Sequence, residues 1–205
     1  MKINFGLLIL MFFLVQCTDR VPAESEGIQE LRNKELESHS DLQSRLSATV
    51  PLTSEQISEL FPVAVGVYSR TRLISGKNEG IGISSVESQF NHQKDSSQNV
   101  SVEIMDGAGV NGSIFLLSSY DRLKISYEEV SPVEKTKVFT HYGYRGFLRE
   151  MQQEPILEYE LIYGERFRVR FRSYQVKKVD LVKFIHQYPL EHLGQLSERN
   201  LAKAF

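Results

Sequence analysis

A glycine-rich stretch at residues 106–112 has the residue types and spacing of a phosphate-binding loop. It reads DGAGVNG and contains the pattern G-x-G-x-x-G, in which the glycines let a pyrophosphate approach a helix N-terminus. The preceding residues 100–105, VSVEIM, alternate, whereas a central parallel strand in a dinucleotide-binding unit is apolar throughout. No crossover helix is predicted between this segment and the strands before it. The pattern therefore favours a glycine-rich turn over a nucleotide site, and we predict no cofactor.

The other residues that could act in catalysis or metal binding are scattered along the chain. The histidines form no pair at spacing i, i+3 or i, i+4, which would place two ring nitrogens on one metal ion. Neither G-x-S-x-G nor S-x-x-K occurs, and no pair of carboxylates can be placed across a cleft from the sequence. We therefore predict no catalytic and no metal-binding residues. The histidines are His39, His92, His141, His186 and His192.

A row of alternating arginines could bind an anionic lipid headgroup or a polysaccharide. The segment predicted to pair with this row carries Glu158 and Glu160, which would neutralise part of its charge. Cross-strand neutralisation is therefore the favoured interpretation, and anion binding is the alternative. The row consists of Arg166, Arg168, Arg170 and Arg172.

Four tyrosines in predicted strands could line a ligand pocket, because such pockets are rich in aromatic side chains. Packing in the core of a sheet is the more common role of strand aromatics, and we favour it here. The tyrosines are Tyr142, Tyr144, Tyr159 and Tyr163.

The N-terminus carries a short apolar run that ends close to the single cysteine of the chain. Lys2 precedes the uniformly apolar residues 5–15, FGLLILMFFLV, and Cys17 follows almost at once. Eleven residues make only about 16 Å of helix, roughly half of a ~30 Å hydrocarbon core. A membrane-spanning anchor is therefore disfavoured, and a secretory signal peptide over residues 1–16 is predicted.

The sequence Leu14-Val15-Gln16-Cys17 resembles the lipobox of bacterial lipoproteins. Leu14 and Val15 fit that pattern, and Gln16 stands where the family usually has Gly, Ala or Ser. The resemblance implies cleavage before Cys17, lipidation of Cys17 by thioether and amide linkages, and attachment to a membrane on the periplasmic or external side of the bacterial cell envelope. The alternative is an incidental cysteine near a signal peptide that is cut elsewhere.

Composition excludes several classes of protein. The 205 residues include 24 basic and 26 acidic side chains, and the sequence pI of about 6.2 lacks the basic surplus of a general nucleic-acid binder. A single cysteine excludes a disulfide framework and a cysteine-rich zinc module. The length suits one domain, or two at most. We therefore expect a membrane partner through the lipid, a possible protein or envelope partner, and no nucleic acid.

The chain after the signal peptide divides into a polar segment and a folded domain. Residues 17–50 are rich in Glu and Ser, contain no aromatic side chain, and are predicted to form a tether that begins with the lipidated cysteine. A globular domain is predicted over residues 51–205, opening with a short helix capped by Thr53 and Gln56. Strands are predicted near residues 63–67, 86–90, 100–104, 123–127 and 138–148, the last interrupted by glycines that often mark a bulge.

The clearest predicted element is a hairpin over residues 157–172. Keeping its apolar residues on one face requires odd-numbered residues to pair with odd-numbered ones across a loop such as residues 164–166. Pairing Leu161 with Val169 then sets Glu160 opposite Arg170 and Glu158 opposite Arg172.

Helices should cover this sheet. One helix is predicted to start near Ser113, where a run of four apolar residues also leaves a buried strand open, and another is predicted to start at the cap Asp180. Alternation in most strands, without regular helices between them, predicts an α+β fold in which a twisted antiparallel sheet packs against a few helices in a single domain.

The order of features resembles that of small exported bacterial envelope proteins that carry no assigned catalytic residues. The similar segments are ELFP (59–62), VSVEIMDGAGVNG (100–112) and residues 164–193. The resemblance implies a compact exported domain and no particular activity. The favoured hypothesis is a membrane-anchored, non-enzymatic domain that binds a partner or supports the envelope. The alternatives are a small-ligand or lipid carrier and a hydrolase whose residues the sequence does not reveal.

Overall fold

One antiparallel sheet forms the framework of the computed structural model, which describes residues 39–141 and 144–196. The strands are β1 (Ala64–Val65), β2 (Tyr68–Ser75), β3 (Ser85–His92), β4 (Asn99–Asp106), β5 (Glu128–Val130), β6 (Glu134–His141), β7 (Tyr144–Met151), β8 (Ile156–Tyr163) and β9 (Phe167–Tyr174). Their order in the sheet is β1-β2-β3-β4-β9-β8-β7-β6-β5. The last strand along the chain therefore pairs with β4 near the middle of the sheet.

Helices pack on this sheet as the α+β prediction expects, and the described residues belong to a single compact unit. The helices are α1 (residues 39–48), α2 (Ser54–Ser58), α3 (Gly109–Lys124), α4 (Lys178–Gln187) and α5 (residues 191–196), with a short 3₁₀ turn at Glu79–Ile81. The short helix α2 starts at the predicted capping box, in which Thr53 and Gln56 bond to each other's backbone N–H groups.

The main core lies between one face of the sheet and α4. Phe184 of α4 makes edge-to-face ring contacts with Phe90 of β3 and Phe171 of β9, with centroids 5.5 and 6.3 Å apart. Leu181 and Ile185 are buried beside it, as the i, i+4 spacing of an amphipathic helix predicts.

The start of α4 differs from the prediction. Asp180 lies in the first turn of the helix, and the N-cap position belongs to Lys177. The sequence therefore identified the buried face of α4 correctly and placed the helix start wrongly, because the helix begins almost one turn earlier.

The opposite face of the sheet carries a second, smaller core at one end. Leu42 and Leu46 of α1 are buried there with Met105 of β4 and with Leu116 and Leu117 of α3. The folded domain therefore starts before residue 51, and residues 39–50 are not part of a solvated tether. Two leucines four residues apart bury one stripe of a helix, which is enough to attach it although its other face is polar. The rest of the predicted tether lies outside the described residues.

Helix α3 occupies the region for which the sequence left a helix and a buried strand open. It begins at Gly109, before the predicted start at Ser113, and it continues to Lys124. Leu123 therefore lies in the helix, and the strand predicted over residues 123–127 is wrong. The short alternation in that segment reflects the end of the helix followed by a loop that leads to β5.

Residues 134–151 form a hairpin of β6 and β7, where the sequence predicted a single strand with a bulge. The register pairs Phe139 with Gly146, so the chain reverses between the two strands. A Cβ atom at Gly146 would collide with the carbonyl oxygen of Glu160 and lie 2.8 Å from the ring of Tyr159. This glycine therefore marks a close approach of β7 to β8 rather than a bulge.

The hairpin of β8 and β9 confirms the predicted register. Leu161 pairs with Val169, Glu160 with Arg170 and Glu158 with Arg172, across the loop of residues 164–166. Gly164 and Glu165 both have positive φ angles, 57° and 52°, which allow the three-residue loop to close.

A buried ion pair joins this loop to the end of β4. Arg166 donates from Nε to Oδ1 of Asp106 at 2.8 Å and from Nη2 to Oδ2 at 2.7 Å, and Asp106 is completely buried. The same carboxylate accepts the backbone N–H groups of Leu52 at 2.8 Å and Ala108 at 2.9 Å. One carboxylate therefore joins three segments of chain, and it is charge-compensated and fully hydrogen-bonded.

We expect Asp106→Asn to lower the free energy of unfolding by about 3–5 kcal/mol, because it leaves the buried guanidinium without a counter-charge. The matched control is Glu165→Gln, which removes an exposed ion pair with Arg45 and should cost no more than about 1 kcal/mol. Urea unfolding followed by circular dichroism measures both values. Equal stabilities of the two variants would contradict the central role of the buried pair.

Candidate ligand-binding pocket

The glycine-rich stretch is structural, as the sequence analysis favours. Its acid, Asp106, is occupied by Arg166 and by two backbone N–H groups. A Cβ atom at Gly107 would lie 2.6 Å from the carbonyl oxygen of Arg166, and one at Gly112 would lie 2.8 Å from that of Asp106. The glycines therefore allow close contacts within the chain, and the stretch leads from β4 into α3.

Three arginines of the row lie against buried carboxylates that the sequence analysis did not pair with them. Glu103 of β4 binds Arg170 and lies 3.9 Å from Arg168. Arg166 turns away to Asp106 and does not join the row. Buried acids among the arginines disfavour an anion site here, because they repel a negative ligand.

The two glutamates predicted to neutralise the row form their ion pairs with another strand. Glu158 and Glu160 lie opposite Arg172 and Arg170 in the register, as predicted. Their carboxylates nevertheless contact Arg149 of β7. The ion pairs therefore involve four neighbouring strands, β4 with β9 and β8 with β7, rather than the hairpin alone.

The tyrosines whose side chains the structure describes belong to the core. Tyr159 is buried in the main cluster, and Tyr163 is partly buried against it. Tyr142 and the side chain of Tyr144 lie outside the described residues. The expectation of core packing is therefore confirmed for the two described tyrosines.

The histidines lie in separate places. His39 bonds to Asp121 of α3 at 2.9 Å, His186 and His192 are exposed, and the side chain of His141 lies outside the described residues. In the described part of the chain, no three His, Cys, Asp or Glu side chains come together as a set of metal ligands. Cys17 also lies outside the described residues, so its lipidation stays a prediction.

His92 lines a pocket that the sequence analysis did not predict. The pocket lies between the β1–β2 turn, the β3–β4 connection and one face of α4, and its volume is about 310 Å³. This volume is at the lower end of the range of small-molecule sites, roughly 300–1,000 Å³. Its polar side chains are Tyr68, His92, Gln98, Asp180, Lys183 and Gln187.

Helix α4 supplies one wall of the pocket through its regular spacing. Asp180, Lys183, Phe184 and Gln187 follow the i, i+3, i+4, i+7 pattern and share one side of the helix. Phe184 packs into the core, while the three polar residues surround the opening. Gly66 faces Gln187 with a φ angle of 55°, and a Cβ atom at Gly66 would collide with the amide oxygen of Gln187. Glycine at this turn therefore lets the wall of α4 approach the sheet.

Two backbone hydrogen bonds hold the opposite wall. The N–H of Gln93 donates to the carbonyl of Val67 at 3.0 Å, and the N–H of His92 donates to the carbonyl of Gln98 at 3.0 Å. They fix the β1–β2 turn against the end of β3 and fix the loop that carries Gln98. The polar groups of the pocket are therefore carried by connections that are tied to the sheet.

His92 and Tyr68 are held in defined orientations. Nδ1 of His92 accepts the backbone N–H of Lys94 at 3.2 Å, so the ring proton of the neutral form belongs on Nε2. The two rings meet edge to face with centroids 5.2 Å apart. Burial raises the pKa of the Tyr68 hydroxyl above its ordinary value, and the negative charge of Asp180 raises it further. Tyr68 therefore presents a protonated hydroxyl at neutral pH.

The pocket combines hydrogen-bond donors and acceptors with both signs of charge. Lys183 is a cation whose Nζ lies 3.4 Å from the Asp180 carboxylate, and the two glutamine amides can both donate and accept. Such a lining matches a small polar molecule and is costly for an acyl chain, which would leave these groups unsatisfied. None of its lining residues is Ser, Thr or Cys, the side chains most often used for nucleophilic catalysis.

A second depression of about 640 Å³ lies next to the start of α4, between the β7–β8 connection and the β9–α4 connection. Lys178 bonds to Glu150 there at 2.5 Å, so these two charged side chains satisfy each other. The pocket around His92 is therefore the stronger candidate for a ligand.

Sequence reasoning missed this pocket because its residues come from three separate regions. In the sequence, His92 is a candidate metal ligand and Asp180 a candidate helix cap, and nothing in their spacing indicates that they lie close together. A helix face with polar residues beside a buried Phe was the only local signal.

Comparisons with models of known protein families, with curated proteins and with solved structures find no match to this chain. Within the described residues, no helix has the length and apolar character needed to cross a bilayer. Functional inference therefore depends on the N-terminal sequence and on the geometry of the pocket.

We expect Asp180→Asn to lower the pKa of Tyr68 toward its ordinary value of about 10, because the substitution removes the nearby negative charge. The pKa should stay above that value, since burial is the larger cause and is unchanged. A pH titration of the ¹³Cζ signals of tyrosine by NMR measures the shift. Asp121→Asn on α3 is the control, and an identical Tyr68 titration in both variants would contradict the proposed geometry.

Proposed function

We propose that this protein is a membrane-anchored bacterial lipoprotein whose folded domain binds a partner or a small polar ligand in the cell envelope without catalysing a reaction. The observation that carries this proposal is the apolar run of residues 5–15 followed at once by the single cysteine, Cys17. A diacylated and amide-acylated cysteine would bury several tens of methylene groups at about 0.8 kcal/mol each, which is ample for stable anchoring.

The net charge of the chain that would remain after cleavage supports attachment through the lipid. Cleavage before Cys17 would remove Lys2 and leave 23 basic and 26 acidic side chains, a net charge of −3. A domain of this charge gains no electrostatic attraction to anionic lipids, so the lipid rather than the protein surface would supply the affinity. The anchor is therefore the feature on which membrane attachment depends.

The binding role draws its support from the pocket around His92. Of the two carriers considered, the polar lining of the pocket favours a carrier of a small hydrogen-bonding ligand and disfavours a carrier of lipid. The core gives the same indication, because the aromatic side chains of β3 and β9 interlock with α4 instead of lining a cavity. The ligand we expect is small, polar and able to use both a cation and a carboxylate.

Cys17→Ala should abolish lipid attachment, because the only thiol that can form the thioether is lost. We expect the native protein to incorporate radiolabelled fatty acid and to enter the detergent phase of Triton X-114. The variant should lose the label and move to the aqueous phase. Gln16→Ala is the matched control and should keep both properties, since it moves the sequence toward the usual lipobox. Equal labelling of Cys17→Ala and the native protein would overturn the anchoring proposal.

Binding in the pocket is tested by NMR titration of the detergent-solubilised full chain with amino acids, monosaccharides and small carboxylates. We expect at least one of these probes to shift the signals of Tyr68 and His92 without moving those of Tyr163, which lies outside the pocket. Lys183→Met should weaken the response by roughly tenfold, the loss expected for one charged hydrogen bond of about 1.5 kcal/mol. Shifts of equal size at Tyr68 and Tyr163, or no shift with any probe, would contradict a ligand site here.

A further inference from the structure

Exposed apolar side chains gather around the N-terminal half of α3. Their exposed fractions run from 46% for Phe115 to 76% for Val50. Val110 and Ile114 are one turn apart on the helix, and Phe115 is adjacent. We call this set the α3 surface; it comprises Val50, Ile81, Val110, Ile114 and Phe115.

Specific contacts bring the three segments of the α3 surface together. The side-chain amide of Asn111 donates to the carbonyl of Ile81 at 2.8 Å. The N–H of Gly109 donates to the carbonyl of Thr49 at 3.1 Å, which sets Val50 beside the start of the helix. The α3 surface is therefore a continuous feature made by the fold and not a run of neighbours in the sequence.

The α3 surface is also flanked by uncharged chain, although 24% of the residues of the protein are charged. No Asp, Glu, Lys or Arg occurs in residues 46–54, in residues 80–86 or in residues 107–120. Some other exposed apolar residues lie among charges, as Val179 does between Lys178 and Asp180, whereas Val63 and Val67 also lie in an uncharged segment, residues 60–69. Charged side chains are costly to withdraw from water, so their absence from these three segments favours a surface that becomes desolvated.

The chain outside the described residues connects this side of the domain to the proposed anchor. Helix α1 runs antiparallel to α3, with His39 bonded to Asp121 at one end and Ser47 bonded to Ser113 at the other. The 21 residues 18–38 separate Cys17 from α1. Even fully extended they reach no more than about 75 Å, so a lipidated protein would hold its domain close to the bilayer.

From these observations we infer that the α3 surface docks onto the bilayer to which Cys17 is attached, so that the domain lies on the membrane in a fixed orientation. This inference rests on the proposed lipid anchor. Anchoring makes docking intramolecular, so a few apolar side chains suffice where they would not hold a soluble protein on a membrane. A second copy of the chain is the less favoured occupant, because stable interfaces engage about 20–30 residues on each side and the α3 surface has five apolar ones.

The experiment uses the full lipidated chain in vesicles of phosphatidylethanolamine and phosphatidylglycerol. The protein contains no tryptophan, so Phe115→Trp introduces a single fluorescent reporter on the α3 surface. Val179→Trp on α4, which covers the opposite face of the sheet, is the matched control. We expect the reporter at position 115 to emit at shorter wavelength than the reporter at position 179. Lipids with brominated acyl chains should also quench it at least about twofold more strongly, because docked side chains reach the acyl boundary.

The outcomes separate this inference from the proposed function. Protein that fails to associate with vesicles at all contradicts the lipid anchor. Protein that associates but gives equal quenching at positions 115 and 179 overturns docking and leaves the anchor in place. A blue shift at position 115 that brominated lipids do not quench, and that grows with protein density in the vesicle, also overturns docking and identifies a second copy as the occupant. Adding Ile114→Glu to Phe115→Trp should reduce the quenching to the level of the control.

Discussion

The carboxylate of Asp106 and the guanidinium of Arg166 are both withdrawn from water at the point where three segments of chain meet. Either charge would be strongly destabilising if it were buried without the other. Neither the β8–β9 loop nor the end of β4 can therefore move without breaking the pair. The same carboxylate anchors Leu52 and the residue before α3. This one interaction therefore fixes where α3 starts and where the chain from α1 crosses the sheet.

The sheet separates two surfaces of different character. One face is covered by α4, whose polar side meets the β1–β2 turn and the β3–β4 connection to form the pocket around His92. The other face carries α1 and α3 at one end and ion-paired arginines and glutamates on its central strands. Residues that alternate along β4, such as Ile104 and Met105, belong to different cores. The alternation of a strand thus allows one sheet to carry the pocket around His92 on one face and the helices that bear the α3 surface on the other.

Local patterns predicted the elements whose register depends on nearest neighbours. The β8–β9 hairpin follows the prediction residue by residue, because a shift of one residue would invert every apolar side chain. The β6–β7 hairpin was missed because its turn has no strong signal and Gly146 suggested a bulge. Its glycine is required by Tyr159 and the backbone of Glu160, which come from another strand. The predicted start of the domain at residue 51 came too late for the same reason, since Leu42 and Leu46 are buried by residues far along the chain, on α3 and β4 among others.

The sequence by itself determined the apolar N-terminal run before Cys17, the antiparallel α+β class and the apolar face of α4, because hydrophobic period and length follow from local geometry. Only the tertiary structure decided that Asp106 binds Arg166, that Glu103 lies under the arginine row, and that Tyr68, His92 and Asp180 share a pocket. The first two contacts join residues 60 or more positions apart, and the pocket joins residues of three different elements. Strand order and helix packing decide which side chains meet across such distances. Neither of them produces a periodic pattern in the amino-acid sequence.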